Sequence, residues 1–310
     1  MNWNGVLPAM TTPFDSNLAV DDRFVSEHCL WMVDNGCTGI VALGSLGEGA
    51  TLTFDEKRQI LRTCVNSLRG RGPVIAGISA LATSEAVALA QSAAELGCDG
   101  LMVLPPYVYK GAWREMKAHV AAVFRATPLP CMLYNNPLAY GTDFVPEHIR
   151  ELASEHRNLE AVKESSADTR RVSAIRALLD DRIQICVGVD DAILEAIGVG
   201  AVGWIAGLAN AFPCESVDLF NLGMEGQKEK AFALYRWFLP LLRMDTVPEF
   251  VQLIKLVQAE VGMGNSRVRP PRLELTGAEL ERAKSTIREA LKNRPKTAST
   301  EALPAGRSHN

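Results

Sequence analysis

Short apolar segments recur eight times along this chain, and a helix-like stretch follows almost every one of them. The apolar segments cover residues 6–10, 40–43, 74–78, 101–104, 131–134, 161–163, 185–188 and 204–206. Their interiors are continuously apolar rather than alternating, which is typical of parallel strands that are buried on both faces. The intervening helices are predicted at residues 21–35, 53–69, 84–96, 113–126, 146–155, 168–179 and 190–197. Eight such units in one unbroken series predict an α/β fold of the (β/α)8 TIM-barrel type.

The last strand divides the rest of the chain. We predict that residues 1–210 form the barrel and that residues 211–293 form a C-terminal helical extension. The extension contains helix-like stretches at residues 214–224, 227–242, 248–261 and 277–293. Residues 294–310 are poor in apolar side chains and rich in Ser, Thr, Pro and Ala, so we predict a disordered tail.

Composition excludes several classes of partner. The net charge is −4 and no basic stripe is present, which argues against nucleic acid. No apolar run reaches the roughly 18 residues of a membrane span, and the N-terminal segment lacks the basic and apolar regions of a secretory signal. The seven cysteines lie in apolar segments without CxxC spacing, so we predict buried free thiols and a cytoplasmic location.

Lys163 stands where the sixth apolar segment gives way to polar residues. In a parallel barrel this position places an amine at the rim of the interior, where desolvation favours the uncharged form that attacks carbonyl groups to give a Schiff base. A lysine at a strand end can also extend its charged head into water. The segment by itself is compatible with both interpretations.

The other strand ends supply groups that Schiff-base chemistry needs, because the carboxyl ends of barrel strands form the active site. Tyr134 ends the fifth segment, and neighbouring strands are about 4.8 Å apart. Its phenol can therefore reach Lys163 and carry protons for the carbinolamine and enamine steps. Ile205 lies in the eighth segment, and Tyr109 follows the fourth.

A glycine-rich loop, Gly44-Ser45-Leu46-Gly47-Glu48-Gly49, follows the second segment. Its glycines allow close approach of the backbone to a ligand, and N–H groups with the Ser45 hydroxyl would suit a carboxylate. The same residues are also compatible with a tight strand-to-helix turn. Glu48 could simply stabilise the start of the next helix electrostatically.

Two other apparent motifs carry no function. Gly198-Val199-Gly200-Ala201-Val202-Gly203 matches the dinucleotide pattern G-x-G-x-x-G, but it follows a helix and opens a strand, the reverse of the required context. The five histidines show no paired spacing and none ends a strand. We therefore expect no metal and no cofactor.

Three motifs together resemble the dihydrodipicolinate synthase and N-acetylneuraminate lyase family over about residues 3–290: Gly44-Ser45-x-Gly47-Glu48, Tyr134-Asn135-x-Pro137 and Lys163. The resemblance implies a homotetrameric class I lyase that acts on small 2-oxo acids. It implies that Lys163 forms the Schiff base and that Tyr134 transfers protons. It also implies that Ser45 and the Leu46 amide, beside Gly44, hold the carboxylate, and that Ile205 lines the pyruvoyl pocket.

Departures from the family pattern narrow the expected reaction. Where the glycine-rich loop of the synthase has its second threonine, this chain has Leu46. Where the synthase has its second tyrosine after strand four, this chain has Val108, and Tyr109 is the candidate to supply the missing hydroxyl. Synthases normally have an arginine that binds the carboxylate of the second substrate. This chain has Ala139 at that position. Condensation with aspartate semialdehyde is therefore not expected.

Four further sequence segments are similar to those of one branch of the family, which contains 1-pyrroline-4-hydroxy-2-carboxylate deaminase and 2-keto-3-deoxyarabonate dehydratase. These segments are residues 163–168, 203–207, 237–242 and 269–273. This likeness implies elimination of water or ammonia at C4 of a five-carbon 2-oxo acid or cyclic imino acid. A pyruvate-dependent aldolase, of the 2-keto-3-deoxy acid or dihydrodipicolinate synthase type, is the alternative.

Overall fold

The strands of this computed structural model, which describes residues 1–296, form one parallel sheet. They are β1 (Gly5–Pro8), β2 (Ile40–Ala42), β3 (Val74–Ile78), β4 (Gly100–Val103), β5 (Cys131–Asn135), β6 (Leu159–Glu164), β7 (Gln184–Val187) and β8 (Gly203–Ala206). The hydrogen-bonded order is β1-β8-β7-β6-β5-β4-β3-β2. A parallel bridge between Ala9 and Val41 joins the two remaining edges, so the eight strands form the predicted barrel.

Helices alternate with the strands and surround them. They are α1 (Asp22–Asp34), α2 (Phe54–Leu68), α3 (Thr83–Glu95), α4 (Trp113–Arg125), α5 (Pro137–Tyr140), α6 (Pro146–Glu155), α7 (Arg170–Leu179), α8 (Ile193–Gly198), α9 (Pro213–Met224), α10 (Lys228–Leu242), α11 (Phe250–Glu260) and α12 (Gly277–Lys292). The predicted (β/α)8 fold with further C-terminal helices is confirmed. Helix α9 packs against β1 and α8.

Local sequence explains the start of α2. The Thr53 side chain accepts a hydrogen bond from Glu56 N at 3.2 Å, and the Glu56 carboxylate accepts one from Thr53 N at 2.8 Å. This reciprocal capping satisfies two backbone donors that a helix start leaves unpaired.

Trp3 closes the end of the barrel from which the strands begin. Its side chain is fully buried, and its indole N–H donates to Glu160 at 3.3 Å. Gly203 makes room for it, since a Cβ there would lie 2.4 Å from the Trp3 carbonyl oxygen. Open space remains at the opposite end, where the strands finish.

Most of the predicted tail, namely residues 297–310, lies outside the described residues. No helix within residues 1–296 is long and apolar enough to cross a membrane. All seven cysteines are buried free thiols, as predicted.

Candidate active site

Lys163 lies near the carboxyl end of β6, opposite Tyr134 of β5 and Cys186 of β7 in the sheet register. Its side chain is 6% exposed, and Nζ lies 4.1 Å from the centroid of the Tyr134 ring. The amine therefore rests on the electron-rich face of an aromatic ring. The predicted adjacency of the lysine and the phenol is confirmed, and both side chains line one cavity.

Gly188, just after β7, provides the space that the lysine occupies. A Cβ at this position would lie 2.1 Å from Cε of Lys163 and 2.3 Å from Oγ of Ser165. Real Cβ atoms are not found this close to other atoms, so a larger residue would displace the lysine. A glycine at the end of β7 is thus part of the geometry that holds the amine.

The Tyr134 hydroxyl is oriented by Asn136, whose side-chain N–H donates to it at 3.1 Å. The Asn136 side-chain oxygen also caps α5 by accepting from Ala139 N at 3.0 Å. With Pro137 at the first helical position, this cap explains why four residues form a helical turn here. One asparagine therefore fixes both the phenol and the short helix.

Helix α5 places Tyr140 against the glycine-rich loop, where its hydroxyl forms a hydrogen bond with the Ser45 hydroxyl. Its ring lies edge-on to Tyr134, with centroids 5.7 Å apart, and tilted to Tyr107 at 5.5 Å. Burial, with Tyr134 and Tyr107 nearby, raises the pKa of Tyr140 well above its ordinary value. The hydroxyl therefore remains a proton donor at neutral pH.

Tyr107 completes this group of hydroxyls. Burial raises the pKa of its phenol, and the nearby hydroxyls of Ser79, Tyr140 and Ser45 oppose the rise. Tyr107 and Tyr140 also line the same cavity as Lys163. The hydroxyl that contacts Ser45 belongs to Tyr140 of α5, a residue that the sequence analysis did not single out.

Tyr109 does not reach this cavity. Its side chain is 53% exposed, and the nearby Glu115 carboxylate raises the pKa of its phenol. Val108 precedes it with a φ of 70° and is 93% exposed. The structure thus leaves Tyr109 away from the other predicted site residues. The hydroxyl beside Ser45 belongs to Tyr140.

The glycine-rich loop has two faces. Gly44, Ser45 and Leu46 line the cavity. Gly47 and Gly49 face the protein, where a Cβ would lie 2.8 Å from the Met10 carbonyl oxygen and 2.3 Å from that of Leu43. Two glycines are therefore required by tight backbone packing, while the first three residues of the loop face ligand space.

Glu48 points away from the cavity and anchors the loop to the C-terminal part of the chain. Its carboxylate accepts from Lys255 Nζ at 2.7 Å and from Arg269 N at 2.9 Å. Both charged side chains of the pair are almost completely buried. Glu48 therefore positions the loop that carries Ser45 rather than contacting a ligand.

The cavity measures about 570 Å³, a size suited to a small molecule. Ile205 of β8 lines it, as do Leu138 and Ala139 beyond β5. The C-terminal part of the chain also contributes to the lining, with Asp245 in the turn between α10 and α11 and Arg272 beyond α11 among its residues. Within residues 1–296, no group of three or more His, Cys, Asp or Glu side chains could hold a metal ion.

Two aspartates lie near the end of β8 in different environments. Asp190 is fully buried and accepts hydrogen bonds from Trp204 Nε1 at 2.9 Å, Gly207 N at 3.0 Å and Leu208 N at 2.9 Å. Burial raises the pKa of Asp190 to about 6, and these donors oppose the rise. Burial and the nearby Asp190 raise the pKa of Asp245 well above its ordinary value. The donors around Asp190 favour its ionised form, while burial beside Asp190 favours the protonated form of Asp245.

The profile of the dihydrodipicolinate synthetase family matches residues 2–290. The chain belongs to this family. It is 31% identical to the 4-hydroxy-tetrahydrodipicolinate synthase of Methanocaldococcus jannaschii, covering 88% of this chain and 94% of the relative. It is 33% identical to that of Halorhodospira halophila, covering 93% and 97%. The crystal structure of dihydrodipicolinate synthase from Aquifex aeolicus superposes with a TM-score of 0.88 at 30% identity, over 94% of this chain and 97% of that one.

Membership of this family fixes the general class of chemistry. Like the rest of the family, the chain is a class I lyase that forms a Schiff base with a small substrate. The predicted family and enzyme class are confirmed. The substrate and the bond that breaks are separate questions, because related sites on one fold support different reactions.

Proposed function

We propose that this enzyme forms an imine between Lys163 and C2 of a small 2-oxo acid or cyclic imino acid, and then eliminates water, ammonia or both through C4. The observation that carries the proposal is the buried Lys163 amine on the face of Tyr134, inside a cavity that also contains the glycine-rich loop. A buried amine beside a phenol has the two groups that imine formation requires.

The substrate carboxylate binds at the loop. The Ser45 hydroxyl and the Leu46 amide face the cavity and are suited to anionic oxygens, and Gly44 lets the substrate approach the backbone. Ile205 packs against the methylene carbon of the substrate. This arrangement presents C2 of the oxo acid to the lysine.

Tyr134 acts as the proton carrier. Its hydroxyl is oriented by Asn136 and its ring contacts Lys163, so one phenol is close to both the amine and the carbonyl oxygen. It protonates the departing carbinolamine oxygen and assists proton removal from C3. The protonated imine takes up the electron pair from C3, so no metal or organic cofactor is needed.

Elimination is favoured over condensation by the uncharged wall of the cavity at Leu138 and Ala139. Synthases of the resembled pattern have an arginine at the position of Ala139, where it binds the carboxylate of the second substrate. Arg272 lies elsewhere in the lining and has Glu48 as a neighbour at 3.9 Å. A substrate without a second carboxylate fits this wall better.

A product assay tests the proposal. The enzyme is incubated separately with 1-pyrroline-4-hydroxy-2-carboxylate, our first candidate, and with 2-keto-3-deoxyarabonate. Semialdehyde with ammonia from the first substrate supports a deaminase, and semialdehyde alone from the second supports a dehydratase. Pyruvate released from the deoxy acid would contradict elimination. Lys163→Ala is the matched control and should give none of these products.

An aldolase is the second candidate, because the relatives at 31–33% identity are named 4-hydroxy-tetrahydrodipicolinate synthase. Aldol chemistry would use the same imine at Lys163 but would require deprotonation of the C4 hydroxyl. Pyruvate with aspartate semialdehyde is therefore included as a substrate pair, and consumption of both would favour the aldolase.

We further propose a cytoplasmic homotetramer. Large apolar side chains are exposed on the loops after β3, β4 and β5, namely Leu81, Val108, Tyr109 and Leu138. Exposed apolar side chains of this kind suit an interface between subunits, and seven buried free thiols suit a reducing compartment. Light scattering at micromolar concentration should give four times the chain mass, and a monomer mass would refute this assembly.

A further inference from the structure

Asp245 enters the cavity from outside the barrel. It ends the short turn Arg243–Asp245 that connects α10 to α11, and its half-buried side chain lines the cavity together with Lys163. Its carboxylate lies against the chain just after β8, where a Cβ on Gly207 would be 2.2 Å from Oδ1. Only a glycine at residue 207 leaves the space that this carboxylate occupies.

The surroundings of Asp245 differ from those of its neighbour. Asp190 is bound by the N–H groups of Gly207 and Leu208 and is a structural acceptor. The Asp245 carboxyl has no hydrogen-bond partner in the part of the chain that the structure describes. Burial beside Asp190 raises the pKa of Asp245, which favours the protonated form. A protonated carboxyl without a partner, in the wall of a reaction cavity, is available to donate to a ligand.

We propose that Asp245 is a further catalytic residue, the acid that protonates the C4 hydroxyl as it leaves. The inference rests on the proposed function, since an aldol cleavage has no departing C4 hydroxyl. Elimination needs an acid at this point because hydroxide is a poor leaving group. Tyr134 is already committed to proton transfer next to Lys163, so a second group must serve C4.

After the C3 proton has left, the electron pair of the enamine forms the C3–C4 double bond and the C4–O bond breaks. Both electrons of that bond go to oxygen, which takes the Asp245 proton and departs as water. The product is an unsaturated iminium on Lys163, and Asp245 is a carboxylate. It regains a proton from C5 as the iminium rearranges towards the aldehyde.

Asp245→Asn keeps the shape of the side chain and removes its acidity. With 2-keto-3-deoxyarabonate we expect turnover to fall by about 10²-fold or more. Reductive trapping on Lys163 and deuterium exchange at C3 of pyruvate should stay within about threefold of the wild type, because they precede C4–O cleavage. Asp191→Asn is the matched control, since Asp191 pairs with Arg243 at 3.5 Å and does not line the cavity.

A change of leaving group separates acid catalysis from a structural role. The analogue that carries fluorine in place of the C4 hydroxyl releases fluoride without a proton donor. Asp245→Asn should therefore eliminate fluoride within about threefold of the wild-type rate. Gly207→Ala, which pushes the carboxyl aside, should show the same selective loss, and it serves if the asparagine variant does not fold.

The experiments distinguish failure of the Asp245 assignment from failure of the proposed function. If Asp245→Asn eliminates water from the hydroxyl substrate at close to the wild-type rate, or loses fluoride elimination equally, Asp245 is not the acid. If the wild type converts the deoxy acid to pyruvate, the proposed function itself fails, and that result is read without any variant. Water elimination by the wild type, with selective loss in both variants, supports the assignment.

Discussion

The buried pair of Lys255 and Glu48 gives the sharpest stability prediction. Lys255 Nζ lies 2.7 Å from Glu48 Oε1, and the two side chains are 2% and 0% exposed. The ammonium also donates to the Arg267 carbonyl oxygen at 2.5 Å. Burial lowers the pKa of Lys255, and Glu48 opposes that change. Replacing Lys255 by Met preserves most of the buried stem and removes the charge together with its hydrogen bonds to Glu48 and Arg267.

The expected loss of unfolding free energy depends on the carboxylate that the substitution leaves buried. Glu48 would keep its hydrogen bond from Arg269 N and the Arg272 guanidinium at 3.9 Å, but it would be a buried carboxylate that has lost its close cation. Breaking such a pair from one side costs about 3–5 kcal/mol of unfolding free energy. The matched control is Arg23→Met, which breaks an ion pair with Glu27 that is exposed to water and contributes little to stability.

Urea unfolding of the two single variants measures this difference directly. A double variant, Glu48→Gln with Lys255→Met, removes both charges and should recover at least about 1 kcal/mol relative to Lys255→Met. Because Glu48 holds the loop that carries Ser45, the single variant should also raise KM for the oxo acid. A loss for Lys255→Met no larger than that of Arg23→Met would refute the reasoning.

Three further predictions concern the site and the core. Tyr134→Phe should reduce turnover by about 10²-fold or more with little change in binding, as measured by steady-state kinetics, and unchanged turnover would assign proton transfer elsewhere. Gly188→Ala should abolish reductive trapping on Lys163, because the new Cβ would occupy the position of Cε. Burial lowers the pKa of His28 from 6.5 to about 4, so the buried neutral ring contributes stability above pH 6.5 that is lost as the pH falls through 4, about 3 kcal/mol in total. The urea midpoint of His28→Gln should accordingly fall less over this range than that of the wild type, and parallel profiles would contradict this.

Sequence reasoning succeeded where local pattern and barrel geometry were sufficient. Continuous apolar segments are typical of buried parallel strands, and eight of them determine the barrel. Once the barrel is assumed, Lys163 and Tyr134 must end neighbouring strands, and their register confirms this. The capping residues Thr53 and Glu56 likewise predict the start of α2 from four residues alone.

The parts that sequence reasoning missed depend on contacts between distant or very short elements. Helix α5 has four residues, too few for a helical periodicity, yet it carries the Tyr140 hydroxyl to Ser45. Asp245 follows a helix of the C-terminal part and reaches the cavity only because that part folds over the barrel mouth. Glu48 and Lys255 are 207 residues apart in the chain. No local pattern predicts such pairs.

Reductive trapping tests directly whether Lys163 forms the imine with the substrate. The enzyme is treated with borohydride in the presence of pyruvate, digested and mapped by mass spectrometry. We expect a single adduct of one ligand mass on the peptide that contains Lys163, and none in Lys163→Arg. The chain provides internal controls, since Lys57 and Lys255 are also buried, with 4% and 1% of their surface exposed. An adduct on either of those lysines, or full activity without any adduct, would contradict the account.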